Sequence, residues 1–108
     1  MNKLKQNPIK NADLNGSTKK DYMFQLFVTG ATPNSMRAIS NIKAICEKYI
    51  KGNYSLEIVD IYKQKEIAAK IQIVALPMLI KVLPLPQRKL IGDMSNTKKV
   101  LEVLGLVN

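Results

Sequence analysis

Along the chain the hydrophobic residues change period several times, and each change marks an element. Tyr22-Met23-Phe24-Gln25-Leu26-Phe27-Val28 is an apolar and aromatic run, short enough for a strand buried on both faces. Gly30 ends it. Thr32-Pro33-Asn34-Ser35 then offers turn and N-cap residues ahead of Met36, Ile39, Ile42, Ala44, Ile45, Tyr49 and Ile50, which recur at helical spacing. The spacing predicts a first helix that starts near Pro33 to Ser35 and stops at Gly52. Tyr54-Ser55-Leu56-Glu57-Ile58-Val59-Asp60-Ile61 alternates at first and then turns continuously apolar, as expected of a second strand entering a sheet interior. The helix between the two strands is long enough to bring them back in parallel.

From Gln64 to Ile73 the residues Ile67, Ala68, Ile71 and, less regularly, Ile73 fall on one side, which predicts a short second helix. Ala75-Leu76-Pro77 breaks it and leads into a third strand, Met78 to Leu83, closed by Pro84-Leu85-Pro86. After this short connection Arg88-Lys89-Leu90-Ile91-Gly92 forms a fourth strand that pairs antiparallel with the third. Asp93, Ser95 or Asn96 caps a terminal helix carrying Val100, Leu101, Val103, Leu104 and Val107. The predicted order is βαβαββα. Residues 1–20, rich in Asn and Lys and without an apolar period, are expected to be a flexible polar tail, because they bury too little surface to offset the entropy of ordering. The folded domain is then 21–108.

Composition narrows the chemistry. The chain has 108 residues of which 46% are hydrophobic, enough for a single core without a metal or disulfide. No apolar stretch reaches the roughly 18 residues that span a bilayer, and the polar N-terminus lacks the core of a secretory signal, so a cytoplasmic protein without a membrane partner is expected. Cys46 is the one cysteine and cannot form an intramolecular disulfide. With no histidine in the sequence, His-based acid–base chemistry, His metal ligation and Ser–His or Cys–His nucleophile pairs are excluded. The acids Glu47, Glu57, Asp60, Glu66, Asp93 and Glu102 show no metal-loop spacing and read as surface charges or helix caps, and no metal or cofactor is expected. The net charge of +9 favours an acidic partner. The basic residues are scattered, without base-stacking aromatics or a recognisable RNA-binding motif, so that partner is expected to be a protein and not nucleic acid.

Parallel βαβ, a helix, an antiparallel hairpin and a last helix, with a proline immediately before the third strand, is the order of the thioredoxin fold. Thioredoxins carry Cys-x-x-Cys where the first strand meets the first helix, because the helix N-terminus lowers the thiol pKa. That position here reads Thr32-Pro33-Asn34-Ser35. A hydroxyl at Thr32 or Ser35 stays protonated without a neighbouring base, and Cys46 lies mid-helix, where a buried, inert thiol is expected. Pro77 either occupies the cis-proline site of that fold, which would set Ala75-Leu76 beside the Thr32-Pro33 loop, or is a trans proline that ends a helix.

Two long motifs carry a closer resemblance. Val28-Thr29-Gly30-Ala31-Thr32-Pro33-Asn34-Ser35-Met36-Arg37-Ala38 and Leu83-Pro84-Leu85-Pro86-Gln87-Arg88-Lys89-Leu90-Ile91-Gly92-Asp93-Met94-Ser95-Asn96, with Val59-Asp60-Ile61 between them, resemble the KaiB family from about Tyr22 to Leu106. The resemblance implies a non-enzymatic regulator in a circadian clock or a clock-derived stress pathway. It would bind the ATPase KaiC, compete there with the SasA-type histidine kinase and sequester KaiA where that protein exists. By analogy the KaiC-facing surface lies on the second-helix region and adjoining loop, with Lys63, Lys65, Lys70, Lys81 and Arg88 as candidate contacts.

The resemblance also implies a metamorphic protein: a free homo-oligomer, dimer or tetramer, whose C-terminal half is rearranged to βαββααβ, and a thioredoxin-like monomer that binds KaiC. Candidate switch positions are Pro77, Pro84, Pro86, Val103 and Gly105. The prolines allow slow isomerisation if the two states differ in isomer. Val103-Leu104-Gly105 stands where the cyanobacterial pattern has Gly-Leu-Asp, and an added valine suits the terminal helix, favouring the thioredoxin-like form. Two other readings fit the same residues: a cysteine-independent thioredoxin-like enzyme, and a homo-oligomeric scaffold without a KaiC partner.

Overall fold

The computed structural model describes residues 20–70 and 75–106. The expected tail up to residue 19, the end of the second helix at Ile71 and Ile73, and Val107 lie outside them. The elements are β1 (Tyr22–Val28), α1 (Pro33–Tyr49), β2 (Tyr54–Asp60), α2 (Lys65–Lys70), β3 (Met78–Leu83), β4 (Arg88–Ile91) and α3 (Thr97–Leu104). The order is βαβαββα, not βαββααβ. The strands form a four-stranded sheet in the order β2-β1-β3-β4. β1 and β2 are parallel, from Tyr22 opposite Tyr54 to Val28 opposite Asp60. β3 runs antiparallel to β1 and to β4, with a bulge at Met23/Phe24.

Period-2 alternation sorts the strand residues to two faces. Phe24, Leu26, Val28 and Leu79 pack with Ala38, Ile42, Ile45 and Cys46 of α1 and with Val100, Leu101 and Leu104 of α3. Phe27, Val59, Met78 and Ile80 form a smaller cluster on the opposite face with Ile61, Ile67, Leu76 and Val82. Burying each aliphatic or aromatic side chain stabilises the fold by roughly 1.5–3 kcal/mol, so the α1 and α3 side carries most of the cohesion.

Three expectations are corrected. β1 is buried on both faces only in its second half: Met23 is 40% exposed, and the Gln25 amide, half-buried, donates to Glu57 Oε1 at 3.1 Å across to β2. β2 is an edge strand and not an interior one, because the crossover sets it outside β1 while β3 takes the inner position. Ser55 and Glu57 accordingly face solvent. Finally, Met36, Ala44 and Tyr49 are exposed: the buried stripe of α1 is Ser35, Ala38, Ile42, Ile45 and Cys46. The helix itself ends at Tyr49, capped by the Ile50 N–H donating to the Cys46 carbonyl at 2.9 Å.

α3 stops through its backbone. Gly105 has φ +80°, a left-handed conformation open to glycine, and its N–H donates to the Glu102 carbonyl at 3.0 Å while that of Leu106 donates to Leu101 at 2.9 Å. This pair of bonds is a Schellman motif. Val103, one residue before the end of the apolar stripe, is 5% exposed.

Candidate functional site

β1 delivers the chain to the corner where α1 begins, and polar groups of the sequence Thr29 to Ser35 define that corner. Thr32 is the N-cap: its Oγ1 accepts from the Ser35 N–H at 3.2 Å, and Pro33 occupies the first turn, where a missing N–H costs nothing. The Thr32 hydroxyl donates to Ser35 Oγ at 2.8 Å, and Ser35 Oγ also accepts from the Thr29 N–H at 3.2 Å. Ser35 is 1% exposed, so its hydroxyl is spent on holding the junction.

A second tie comes from Asp60 at the end of β2. One carboxylate oxygen accepts from the Gly30 N–H at 3.1 Å and the Tyr62 N–H at 2.9 Å, joining the loop after β1 to the turn after β2. Gly30 (φ +58°) passes under the Tyr62 ring, where a Cβ would stand 3.5 Å from it. The sequence pattern marks Asp60 only as an acid at a strand end. An acid two residues before the amide it binds is a recurrent local turn signal that could have found half of this role; the bond to Gly30 needs the sheet.

Beside the junction lies an open groove of about 420 Å³, lined by Thr29, Thr32, Pro33, Asn34, Leu76 and Pro77. The Leu76–Pro77 peptide bond is cis, as are Leu83–Pro84 and Leu85–Pro86. Of the two readings open for Pro77, the structure shows the one that sets Leu76 against the Thr32-Pro33 loop.

The groove is lined by hydroxyls, an amide, a leucine and two proline rings, but no thiol. Cys46 sits eleven residues into the helix from Ser35, roughly 16 Å along the axis. It is fully buried, and burial, with the Glu47 charge beside it, pushes its thiol up to about 12. At neutral pH it carries negligible thiolate. Among the described residues no three His, Cys, Asp or Glu side chains are placed to hold a metal ion, and no helix is long and apolar enough to cross a membrane.

The candidate basic contacts fall into two groups on opposite sides of the sheet. Lys63, in the turn after β2, and Lys65 and Lys70, at the two ends of α2, are exposed; α2 packs by Ile67 on the cluster of Phe27 and Ile80. Lys81 and Arg88 stand opposite one another on β3 and β4. Lys81 shares the parity of Leu79 and is paired with Phe24, so both it and Arg88 belong to the face that α1 and α3 cover. Arg88 is exposed, whereas Lys81 is only 5% exposed. Burial, and then the neighbouring Arg88 charge, lowers the Lys81 pKa. The five residues therefore do not share one face of the sheet.

Fold and junction together define a thioredoxin-like protein whose strand-to-helix corner carries hydroxyls in place of sulfur. Structural neighbours agree on the frame. The N-terminal domain of SasA from Synechococcus elongatus superposes with a TM-score of 0.64 at 20% identity, covering 82% of this chain and 88% of that one. A chloroplastic thioredoxin z gives 0.67 at 12% identity, covering 82% and 80%. The family model for the KaiB domain matches residues 25–106. Proteins named circadian clock oscillator protein KaiB are similar throughout the domain: that of Prochlorococcus marinus (strain MIT 9515) is 45% identical over 84% of each chain, and that of Thermostichus vulcanus is 46% identical over 82% of each. The chain belongs to the KaiB family.

Proposed function

We propose that this chain is a non-enzymatic regulator in a circadian clock or a clock-derived stress-response system, acting by binding a KaiC-like ATPase in competition with a SasA-type histidine kinase. The observation that carries the reading is a KaiB-family match over residues 25–106 that includes the thiol-free junction. A shared frame with the SasA N-terminal domain supports competition, since similar folds can present similar surfaces to one site. The protein works in the cytoplasm, needs no cofactor, forms a homo-oligomer when free, and engages KaiA where that protein exists.

In this reading Lys63, Lys65 and Lys70 form one basic patch, and Arg88, with Lys81 beneath it, a second; both steer the chain towards acidic surfaces of the ATPase. Pro77, Pro84, Pro86, Val103 and Gly105 set the balance between this arrangement and βαββααβ. Val103 packing and the Gly105 cap favour the former.

The test is a binding titration of the purified chain against the KaiC-like ATPase of the same organism, in ATP and in ADP, by size-exclusion chromatography and pull-down. Complex formation, displaced by the SasA-type N-terminal domain, is expected. An authentic ATPase that ignores the chain in both nucleotide states overturns the proposal. Lys65→Glu with Lys70→Glu, and separately Arg88→Glu, should slow association and flatten its salt dependence; unchanged binding removes that patch from the interface.

A further inference from the structure

We infer that Tyr62 is the anchor of the surface that docks on the ATPase, fitting an apolar hollow rimmed by carboxylates, and that Asp60 is the residue that positions it. The inference rests on the proposed function and adds to it the side chain that holds the partner once it has arrived. Exposure by itself carries little, because single apolar side chains lie in water on every protein. Tyr62 combines exposure with fixation. At 64% it is the most exposed aromatic residue among those described, yet the turn that carries it is held throughout. Asp60 Oδ1 accepts from the Tyr62 N–H at 2.9 Å and from the Gly30 N–H at 3.1 Å. The Asp60 main-chain carbonyl accepts from Lys63 and Gln64 at 3.0 and 2.9 Å, and the Ile61 N–H donates to the Val28 carbonyl at 3.0 Å. One edge of the ring lies against Gly30, where a Cβ would stand 3.5 Å from Cδ2 and 3.9 Å from Cε2, and most of its surface stays in water.

An aromatic side chain held in this way gives up little freedom when a partner covers it, because its backbone is already fixed and it has only two torsions. The charges around it define the partner's chemistry. Lys63 follows Tyr62 directly, and Lys65 and Lys70 stand at the two ends of α2, all exposed, against Glu66 as the acid in the first turn of that helix. The phenol hydroxyl donates to a carboxylate, and the ammonium groups favour an acidic rim. Range then divides the labour. The lysines attract over a screening length of about 8 Å, whereas the ring acts only in contact. The lysines therefore set how fast the complex forms, and Tyr62 how long it lasts.

Surface plasmon resonance of the full chain on the KaiC-like ATPase of the same organism, in ATP and in ADP, reads both rates. Tyr62→Ala should leave the association rate and its salt dependence within twofold and speed dissociation about thirtyfold, the weight of a central aromatic anchor. Asp60→Ala should speed dissociation about tenfold, yet add less than twofold in the Tyr62→Ala background, because a residue that acts through the ring then has nothing left to position. Tyr49→Ala removes an exposed tyrosine at the far end of α1 and should change neither rate. Tyr62→Ala is a surface substitution that keeps the fold, so the anchor is tested even where Asp60→Ala does not fold. A wild-type chain that ignores the ATPase in both nucleotide states overturns the proposed function and this inference together. A wild type that binds, with Tyr62→Ala dissociating at the same rate or Tyr49→Ala dissociating as fast as Tyr62→Ala, overturns the inference alone. Additive losses from Asp60→Ala and Tyr62→Ala overturn the positioning role of Asp60.

Discussion

Val103 offers the sharpest test of how α3 is held. It is 5% exposed in the penultimate position of the helix. Val103→Ala removes two methyl groups, worth about 0.8 kcal/mol each when buried, while alanine's better helix propensity returns a few tenths. The expected loss is about 1–1.5 kcal/mol. Val103→Gly removes the last side-chain carbon as well and adds a backbone cost below the roughly 1 kcal/mol of a mid-helix glycine, because the position lies in the final turn. Its expected loss is about 2.5 kcal/mol, a large share of the 5–15 kcal/mol that holds a small domain together. Glu102→Gly, exposed in the same turn, carries only the backbone part and should lose about 0.5–1 kcal/mol. Urea unfolding followed by far-ultraviolet circular dichroism separates the three. If Val103→Gly costs no more than Glu102→Gly, burial of Val103 does not hold α3 and the packing argument is wrong.

At the junction, Ser35→Ala leaves the Thr29 N–H without its acceptor beneath the helix start and should destabilise by about 1–3 kcal/mol, against about 1 kcal/mol for Thr32→Ala, which loses the cap; urea unfolding of both variants ranks them. Cys46 holds its proton in the native state to about 12, against an ordinary value of 9.0. The stability this contributes is complete below pH 9 and is lost as pH rises towards 12, so a melting-temperature profile over that range should fall less steeply for Cys46→Ala than for wild type. Asp93 behaves oppositely. The Ser95 hydrogen bonds, and then Arg37, hold its carboxyl below the usual carboxylate range, so its stabilisation is present above the unfolded carboxylate pKa and disappears as pH falls through the lowered native one. An acid titration of Asp93→Asn should lack that part of the transition.

The elements were legible because each rests on local chemistry. A Thr-Pro-x-Ser start, glycines after the turns and apolar periods that switch from 2 to 3.6 mark strands and helices, among the described residues, within three residues of where they lie. The junction was legible for the same reason: cap, proline and buried hydroxyl are neighbours in the chain. The placement of the candidate basic residues was not. Lys63, Lys65 and Lys70 lie in the turn after β2 and on α2, which packs on one face of the sheet, whereas strand parity puts Lys81 and Arg88 on the other, with Lys81 buried beside an exposed arginine.

By itself, the amino-acid sequence determined what this protein lacks and what it repeats: no histidine, one cysteine out of reach of the helix start, and a thioredoxin-like order of elements. Those are properties of composition and near neighbours, and they survive any folding. Only the tertiary structure decided that β2 lies at the edge, that Asp60 ties two loops across the sheet, and that Asp93 meets Arg37 and Asn41 more than fifty residues away. Such contacts depend on which strand the crossover places inside and on which face each side chain leaves the sheet, and neither is written in the local pattern of the chain.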